Sequence, residues 1–136
     1  MPTAPEEQAY LQNLQQLWAA QWPKSTPTAP VYPIGERPIS EYLSHWARQQ
    51  PDKAAVHFYG YALSYAELDR LSNQFAHWLI EKDIKAGDPV AVFMPNCPQF
   101  IIAFYGILKA GAVYHPISPL SKEMELRHQL TDCPPK

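Results

Sequence analysis

A cysteine close to the predicted start of an apolar helix is the first residue whose position could support chemistry. Cys97 lies between two prolines and directly precedes the apolar run of residues 98–110. Backbone N–H groups in the first turn of a helix lower the pKa of a thiol and make it a better nucleophile. The sequence places no base beside Cys97, so we interpret it as a small buried hydrophobic residue. Cys133, next to two prolines, is a weaker candidate, and the sequence predicts no catalytic residue.

Two glycines, Gly106 and Gly111, are separated by four residues, as they are in a phosphate-binding loop. Such a loop needs Lys and then Ser or Thr after the second glycine, where this chain has Ala112 and Val113. The glycines also end a predicted helix instead of opening one. Because the chain contains no G-x-G-x-x-G sequence either, it gives no support for a dinucleotide-binding domain.

His115 is the histidine with the best position for a ligand, since it falls near the carboxyl end of a predicted parallel strand. Open α/β sheets bind their ligands at that edge. A hydrogen-bonded structural histidine is the alternative interpretation. The other four histidines have no partner at a spacing typical of metal ligands, so the sequence predicts no metal site.

The composition limits the partners that this chain can have. Its 136 residues suffice for one domain, and a net charge of -2 provides no basic surface for nucleic acid or an anionic membrane. We therefore expect a small molecule or another protein as the partner. The longest apolar run, residues 100–108, is far shorter than the ~20 residues of a membrane-spanning helix. Two unpaired cysteines and no recognisable signal peptide predict a soluble, cytoplasmic protein.

The elements that position these residues fall into three predicted segments. Residues 1–22 read as an amphipathic helix, residues 23–37 as a proline-rich linker, and residues 38–136 as the globular part. Thr3 and Glu6 form the expected capping box of the first helix. We expect its apolar stripe to pack on the same chain or on a second copy, which leaves a homodimer possible. The stripe includes Leu14, Leu17, Trp18 and Trp22.

The globular part begins with local signals for two helices and a hairpin. Pro38 suits the first position of a helix, and β-forming residues around Gly60 predict a hairpin, or a strand with a sharp turn, within residues 55–65. Ser64 and Glu67 form a capping box for a second helix that runs to about residue 82.

The strand–helix–strand order of residues 89–117 predicts the fold class. Asn96 is the expected N-cap of the helix, Gly111 marks its end, and the first strand is expected to be buried on both faces. Two strands joined through a helix run parallel, with a right-handed crossover. Ser121 is expected to cap a last helix. We therefore predict an α/β fold in which a parallel sheet has helices on both faces.

Several short motifs occur in an order that resembles a known family. They are YAEL at 65–68, GDPV at 87–90, PN at 95–96, KAGAV at 109–113, and prolines at 116 and 119. Over residues 38–133 they resemble the start of the large N-terminal domain of the adenylate-forming, or AMP-binding, superfamily, which includes the acyl-CoA synthetases. The stretches PNCPQFIIAFYGILKAG and ELRHQL are most similar to those of fatty or aromatic acyl-CoA ligases.

The resemblance implies that the full-length protein is an acid–thiol ligase. Such enzymes use ATP and Mg²⁺ to form an acyl-adenylate and then transfer the acyl group to coenzyme A. The phosphate loop and the other catalytic motifs of the family are absent from these 136 residues. The resemblance therefore implies an inactive, structural fragment that holds no cofactor of its own. Its implied partners are the rest of the same enzyme and, in the full-length protein, a carboxylic acid.

The turn that follows the second strand is the part that the resemblance brings nearest to a ligand. His115, Ser118 and Pro119 are implied to lie near the channel for coenzyme A. The chain departs from the family pattern at Asp83, where glycine is usual, and at Ser118, where asparagine is common. Aspartate tolerates a left-handed backbone better than most residues, so the first departure costs little. A non-enzymatic interaction or dimerisation module is the alternative interpretation of the chain.

Overall fold

The computed structural model describes residues 5–27 and 29–136. The chain divides into two compact units, Met1–Glu36 and Arg37–Lys136. The predicted capping box of the first helix lies outside the described residues, because Thr3 and the side chain of Glu6 are not among them.

The described residues of the first unit contain one helix, α1 (Pro5–Gln21). A turn closes directly after it, where the indole Nε1–H of Trp22 donates to the carbonyl of Thr26 at 2.9 Å. The apolar stripe is open, since Trp18 is 69% exposed and Leu17 is 49% exposed. Packing of this stripe on a partner stays a prediction.

The second unit combines helices with two small sheets, which confirms the predicted α/β class. The sheets pair β1 with β2 and β3 with β4. In chain order the elements of this unit are α2 (Ile39–Gln49), β1 (Ala54–Phe58), β2 (Tyr61–Ser64), α3 (Tyr65–Glu81), β3 (Pro89–Phe93), α4 (Pro98–Lys109), β4 (Val113–Ile117) and α5 (Glu123–Asp132).

β1 and β2 form the predicted antiparallel hairpin. Phe58 pairs with Tyr61, so the connection consists of Tyr59 and Gly60 alone. Both connecting residues have positive φ, 44° and 83°. Two-residue hairpins favour such a turn because its twist matches that of the strands, and glycine adopts it without steric cost.

α3 starts at the predicted capping box. The Glu67 N–H donates to Ser64 Oγ at 3.2 Å, and the Ser64 N–H donates to Glu67 Oε2 at 3.1 Å. Two backbone donors at the helix start are thereby satisfied. After α3 the chain turns at Asp83, whose φ of 62° is a left-handed conformation that aspartate tolerates better than most residues.

β3, α4 and β4 form the predicted parallel βαβ unit, with pairs from Pro89–Val113 to Phe93–Ile117. The prediction that the first strand is buried on both faces is wrong, because Phe93 is 51% exposed. Successive strand residues face opposite sides of a sheet. Val92 packs in the core with Ile107 of α4, so Phe93 faces the other side.

α4 begins one residue later than predicted, with Cys97 and not Asn96 as the N-cap. Cys97 is extended, with φ -151° and ψ 170°, and its side chain makes no capping hydrogen bond. Pro98 at the first helical position explains the shift. Proline forces the preceding residue out of the helical region, and its missing N–H is one that the helix start leaves unpaired anyway.

α5 also begins one residue later than predicted. Lys122 and not Ser121 precedes the helix, and the Lys122 N–H donates to Glu125 Oε2 at 2.9 Å. Ser121 instead belongs to the preceding turn, where its N–H donates to the carbonyl of Ser118 at 3.0 Å.

The close contact between α3 and α4 depends on Gly106. A Cβ atom at this position would lie 2.7 Å from Phe75 Cδ1 and 3.0 Å from the carbonyl oxygen of Ser72. Glycine therefore lets the two helices approach more closely than any other residue would. The main core lies between these helices and the β3–β4 sheet and contains the buried residues Leu79, Val92, Ala103, Ile107 and Ala112.

Candidate functional site

A groove of about 450 Å³ opens where β3 and β4 end. Residues 94–96, which follow β3, form one wall, and residues 116–120 at the end of β4 form the other, with Phe100 of α4 between them. The two strands are parallel, so their carboxyl ends meet at one edge. This is the edge at which open α/β sheets bind ligands.

Ser118 and Pro119, two of the predicted site residues, lie in the wall of this groove. Both are exposed. The Leu120 N–H donates to Ser118 Oγ at 3.2 Å, so the serine side chain helps to hold the turn. Its hydroxyl hydrogen is free to donate to a molecule in the groove.

His115, the third predicted site residue, does not line the groove. It pairs with Ala91 inside the β3–β4 ladder and is half-buried. Its neighbour Tyr114 packs edge-to-face on Phe104 of α4 at 5.0 Å, so His115 faces the side of the sheet away from α4. Within the described part of the chain, His115 Nδ1 and Tyr114 Oη are buried without a hydrogen-bond partner. Burial also raises the pKa of the Tyr114 hydroxyl.

The groove suits a mostly apolar ligand. Its lining has no charged side chain, and the polar side chains in it are Asn96 and Ser118. Binding sites for small molecules are commonly of this size and carry a few polar groups that fix orientation. The groove therefore contains no group that could clamp a phosphate or transfer a proton at neutral pH.

The other residues that the sequence analysis considered for chemistry lie outside this groove and have roles in the fold. Cys97 is half-buried and not fully buried as predicted, because it is the N-cap of α4 and not a residue inside it. Gly106 lies within α4, and Gly111 follows that helix with a φ of 75°. In residues 5–27 and 29–136, no group of three or more His, Cys, Asp or Glu side chains could hold a metal ion.

A partly buried polar cluster between α3 and α4 was not predicted. Lys109 Nζ lies 2.7 Å from Asp69 Oδ1 and donates to Ser72 Oγ and to Asn73 Oδ1, both at 2.8 Å. Ser44 Oγ of α2 donates to the same Asp69 oxygen at 2.8 Å. The cluster thus joins three helices.

The electrostatics of the cluster favour its charged form. Burial alone raises the pKa of Asp69, but the hydrogen bonds from Lys109, Ser44 and Asn73 and the charge of Lys109 outweigh it, so that pKa is lowered. The lysine side chain is only 11% exposed. Its contacts are all to residues of its own fold, so we assign the cluster a structural role.

One sequence signal could have revealed this cluster. Lys109 is the only charged residue in α4, whose other side chains are apolar or uncharged. A single charge on a covered apolar helix needs a partner close by, since an unpaired buried charge is very costly. The position of Asp69 on α3 does not follow from spacing alone, because the two residues are 40 positions apart.

Comparison with known proteins identifies the family. The model of the family described as AMP-binding enzyme matches residues 43–136, which is more than half of the chain. The chain belongs to the AMP-binding enzyme family, as the motifs predicted.

Relatives from two groups illustrate the match. The chain is 36% identical over 119 residues to the long-chain-fatty-acid–CoA ligase of Bacillus subtilis (strain 168), which is 88% of this chain and 21% of that protein. It is 35% identical over 105 residues to a linear gramicidin synthase of Brevibacillus parabrevis, which is 77% of this chain and 2% of that protein. The chain thus spans about a fifth of the ligase.

The fold is also similar to a solved subdomain. The N-terminal subdomain of NpsA from Klebsiella oxytoca matches with a TM-score of 0.71 and 23% identity, over 74% of this chain and 26% of that one. At this identity the similarity shows the fold alone. In the described part of the chain, no helix is both long enough and apolar enough to cross a membrane.

Proposed function

We propose that this chain is the N-terminal part of an acyl-CoA ligase. The whole enzyme would activate a carboxylic acid with ATP and Mg²⁺ as an acyl-adenylate and then form a thioester with coenzyme A. The observation that carries the proposal is the similarity to the Bacillus subtilis ligase over 88% of the chain. The chain itself would serve as scaffold and require the rest of the enzyme as its partner in the cytoplasm.

The extent of the matches favours a ligase over a peptide synthetase. The ligase match covers 119 residues and the gramicidin synthase match covers 105, at nearly the same identity. The similarity to the ligase therefore extends over more of this chain. Activation of an amino acid is the second candidate function, supported by the gramicidin synthase similarity.

ATP and Mg²⁺ would be held by other parts of the enzyme. The described residues contain no group of acidic and other ligands suited to a metal, and the groove has no charged lining. Ser118 and Pro119 would instead form part of the wall near coenzyme A, because their turn lies at the ligand edge of the sheet. His115 would support this turn from inside β4 and not touch the ligand.

A chimeric enzyme tests the proposed function. The matched segment of the Bacillus subtilis ligase is replaced by this chain, and formation of acyl-CoA from a long-chain fatty acid, ATP and coenzyme A is measured. We expect activity from the chimera and none from this chain alone, since it lacks the residues that act on ATP. A second chimera, with the gramicidin synthase, is assayed by amino-acid-dependent pyrophosphate exchange. A well-folded ligase chimera without activity, beside an active synthase chimera, would favour amino-acid activation.

The substitution Ser118→Trp tests the role of the groove in the ligase chimera. The bulky ring should obstruct the second half-reaction, so we expect a several-fold higher KM for coenzyme A. Fatty-acid-dependent pyrophosphate exchange should change little, because it reports the first half-reaction. Ser25→Trp, at an exposed position of the proline-rich segment, is the matched control. An equal decrease in the rates of both half-reactions would contradict the proposal that the groove belongs to the coenzyme A site.

A further inference from the structure

α1 presents a stripe of large apolar side chains to solvent. At 100° per residue, the stripe covers an arc of about 140°. Tyr10 is 62% exposed and Leu11 is 46% exposed, in addition to the values for Leu17 and Trp18 given above. A helix with such a face gains stability by packing it against another surface. The stripe consists of Tyr10, Leu11, Leu14, Leu17, Trp18 and Trp22.

The charges around this stripe have an unusual arrangement. Residues 8–23 contain no charged side chain, so no face of the helix repels a copy of itself. The nearest charges are of opposite sign and lie at opposite ends, with Glu7 in the first turn and Lys24 just after the helix. The absence of basic residues along the helix also makes it unlike helices that bind anionic lipid surfaces.

We propose that α1 pairs with α1 of a second copy of this chain, in antiparallel orientation. The two-fold axis passes between residues 15 and 16. Each residue therefore lies level with the partner residue for which the two residue numbers add up to 31. In this register Leu14 meets the partner's Leu17 at the centre, and Glu7 lies level with the partner's Lys24, in the turn after α1, at each end. Glu7 and Leu14 are one seven-residue repeat apart, as are Leu17 and Lys24, which is the period that helix pairs use.

The ends of the helix select the antiparallel orientation. In a parallel pair Glu7 would face the partner's Glu7, and Lys24 would face the partner's Lys24. Like charges in these positions repel, whereas the antiparallel pair places opposite charges together twice. Rim charges of this kind fix the orientation of partners more than they add affinity.

The length of α1 limits how stable the proposed dimer can be. A 17-residue helix is about 25 Å long, and one pair of such helices lies at the low end of specific interfaces. We therefore expect a dimer that forms and dissociates with concentration. The dimer would be a property of the first unit and independent of the proposed acyl-CoA ligase activity.

Sedimentation equilibrium of the full chain over a range of concentrations tests the pairing. We expect Leu17→Glu to raise the dimer dissociation constant at least about tenfold, since it would bury an unpaired carboxylate at the centre of the interface. Gln16→Glu introduces the same charge on the opposite side of the helix and should leave the constant nearly unchanged. Leu14→Gln, a milder change that adds no charge, should also weaken the dimer, with helix content checked by circular dichroism.

Charge reversal tests the orientation. Glu7→Lys and Lys24→Glu should each weaken the dimer at low salt, and the double variant should restore it, because it exchanges the two ends. A chain that stays monomeric up to about 1 mM would overturn the proposal. So would a dimer that is equally insensitive to Leu17→Glu and Gln16→Glu, which would assign it to another surface. Binding of the monomer to neutral phosphatidylcholine vesicles through the stripe would overturn it in favour of a lipid surface.

Discussion

Lys109 shows how one residue can tie distant parts of this chain together. Its ammonium group lies in a pocket of four oxygen atoms from α3, and its Asp69 partner also binds α2 through Ser44. A buried ion pair is weak evidence for net stability, because both charges lose water. Removal of one partner is nevertheless costly, since the other charge is left without compensation.

We predict that Lys109→Met lowers the free energy of unfolding by about 2–3 kcal/mol, somewhat less than for a fully buried pair because Asp69 is partly exposed. Lys85→Met is the matched control, since Lys85 lies 3.6 Å from Asp83 in a pair that is largely exposed. Its loss should cost less than about 1 kcal/mol. Urea unfolding of both variants measures the difference, and equal losses would contradict the structural role of the cluster.

The stability that the Lys109–Asp69 pair contributes should decrease in acid. The pKa of Asp69 is lowered in the folded chain, so the unfolded chain binds its proton more readily. The contribution of the pair is therefore complete above the ordinary pKa of aspartate and is lost as the pH falls through the lowered value. The free energies of unfolding of wild type and of Lys109→Met should therefore become more similar over that acidic range.

At the scale of elements, the contact between α3 and α4 decides how the βαβ unit is held. Alanine is a better helix former than glycine by about 1 kcal/mol, so Gly106 lowers the intrinsic stability of α4. The close approach to Phe75 and Ser72 offsets that loss, because it lets Ile107 and Leu79 share one core.

We predict that Gly106→Ala destabilises the chain by about 1–3 kcal/mol despite the helix preference of alanine, because the new methyl group would overlap the ring of Phe75. The background variant Phe75→Ala provides the control. It removes Cδ1 and the rest of the ring, so Gly106→Ala should cost less in this background. Thermal unfolding of wild type, the two single variants and the double variant gives the coupling energy between positions 75 and 106. An equal cost of Gly106→Ala in both backgrounds would show that the ring is not the obstacle.

Elements with strong local signals could be predicted from the sequence. The cap of α3 and the turn at Gly60 depend on residues within a few positions, and both occur where the sequence indicates. The start of α4 was misplaced by one residue because Asn96 is a good cap by type, while Pro98 decides the geometry. The exposure of Phe93 depends on what covers a sheet face, and periodicity does not report it.

At the scale of the whole molecule, the order of motifs predicted the family although no single residue predicted the function. Ser118 and Pro119 reach the groove because β3 and β4 end together, which follows from the βαβ topology. His115 lies outside the groove because it faces the side of the sheet away from α4, and its place near coenzyme A stays a prediction. Lys109 belongs to the KAGAV motif, but its Asp69 partner follows only from the way in which α3 and α4 pack.

The register of the two sheets also has a consequence for the order in which this chain can fold. Phe58 and Tyr61 pair across three positions, whereas Pro89 and Val113 pair across 24. On a simple chain model, the entropic free-energy cost of closing the longer loop exceeds that of the shorter loop by about 2 kcal/mol. The hairpin can therefore close early, on its own. The parallel strands lie closer along the chain once α4 has shortened the connection between them, so we expect helix formation in residues 98–109 to precede the pairing of β3 with β4.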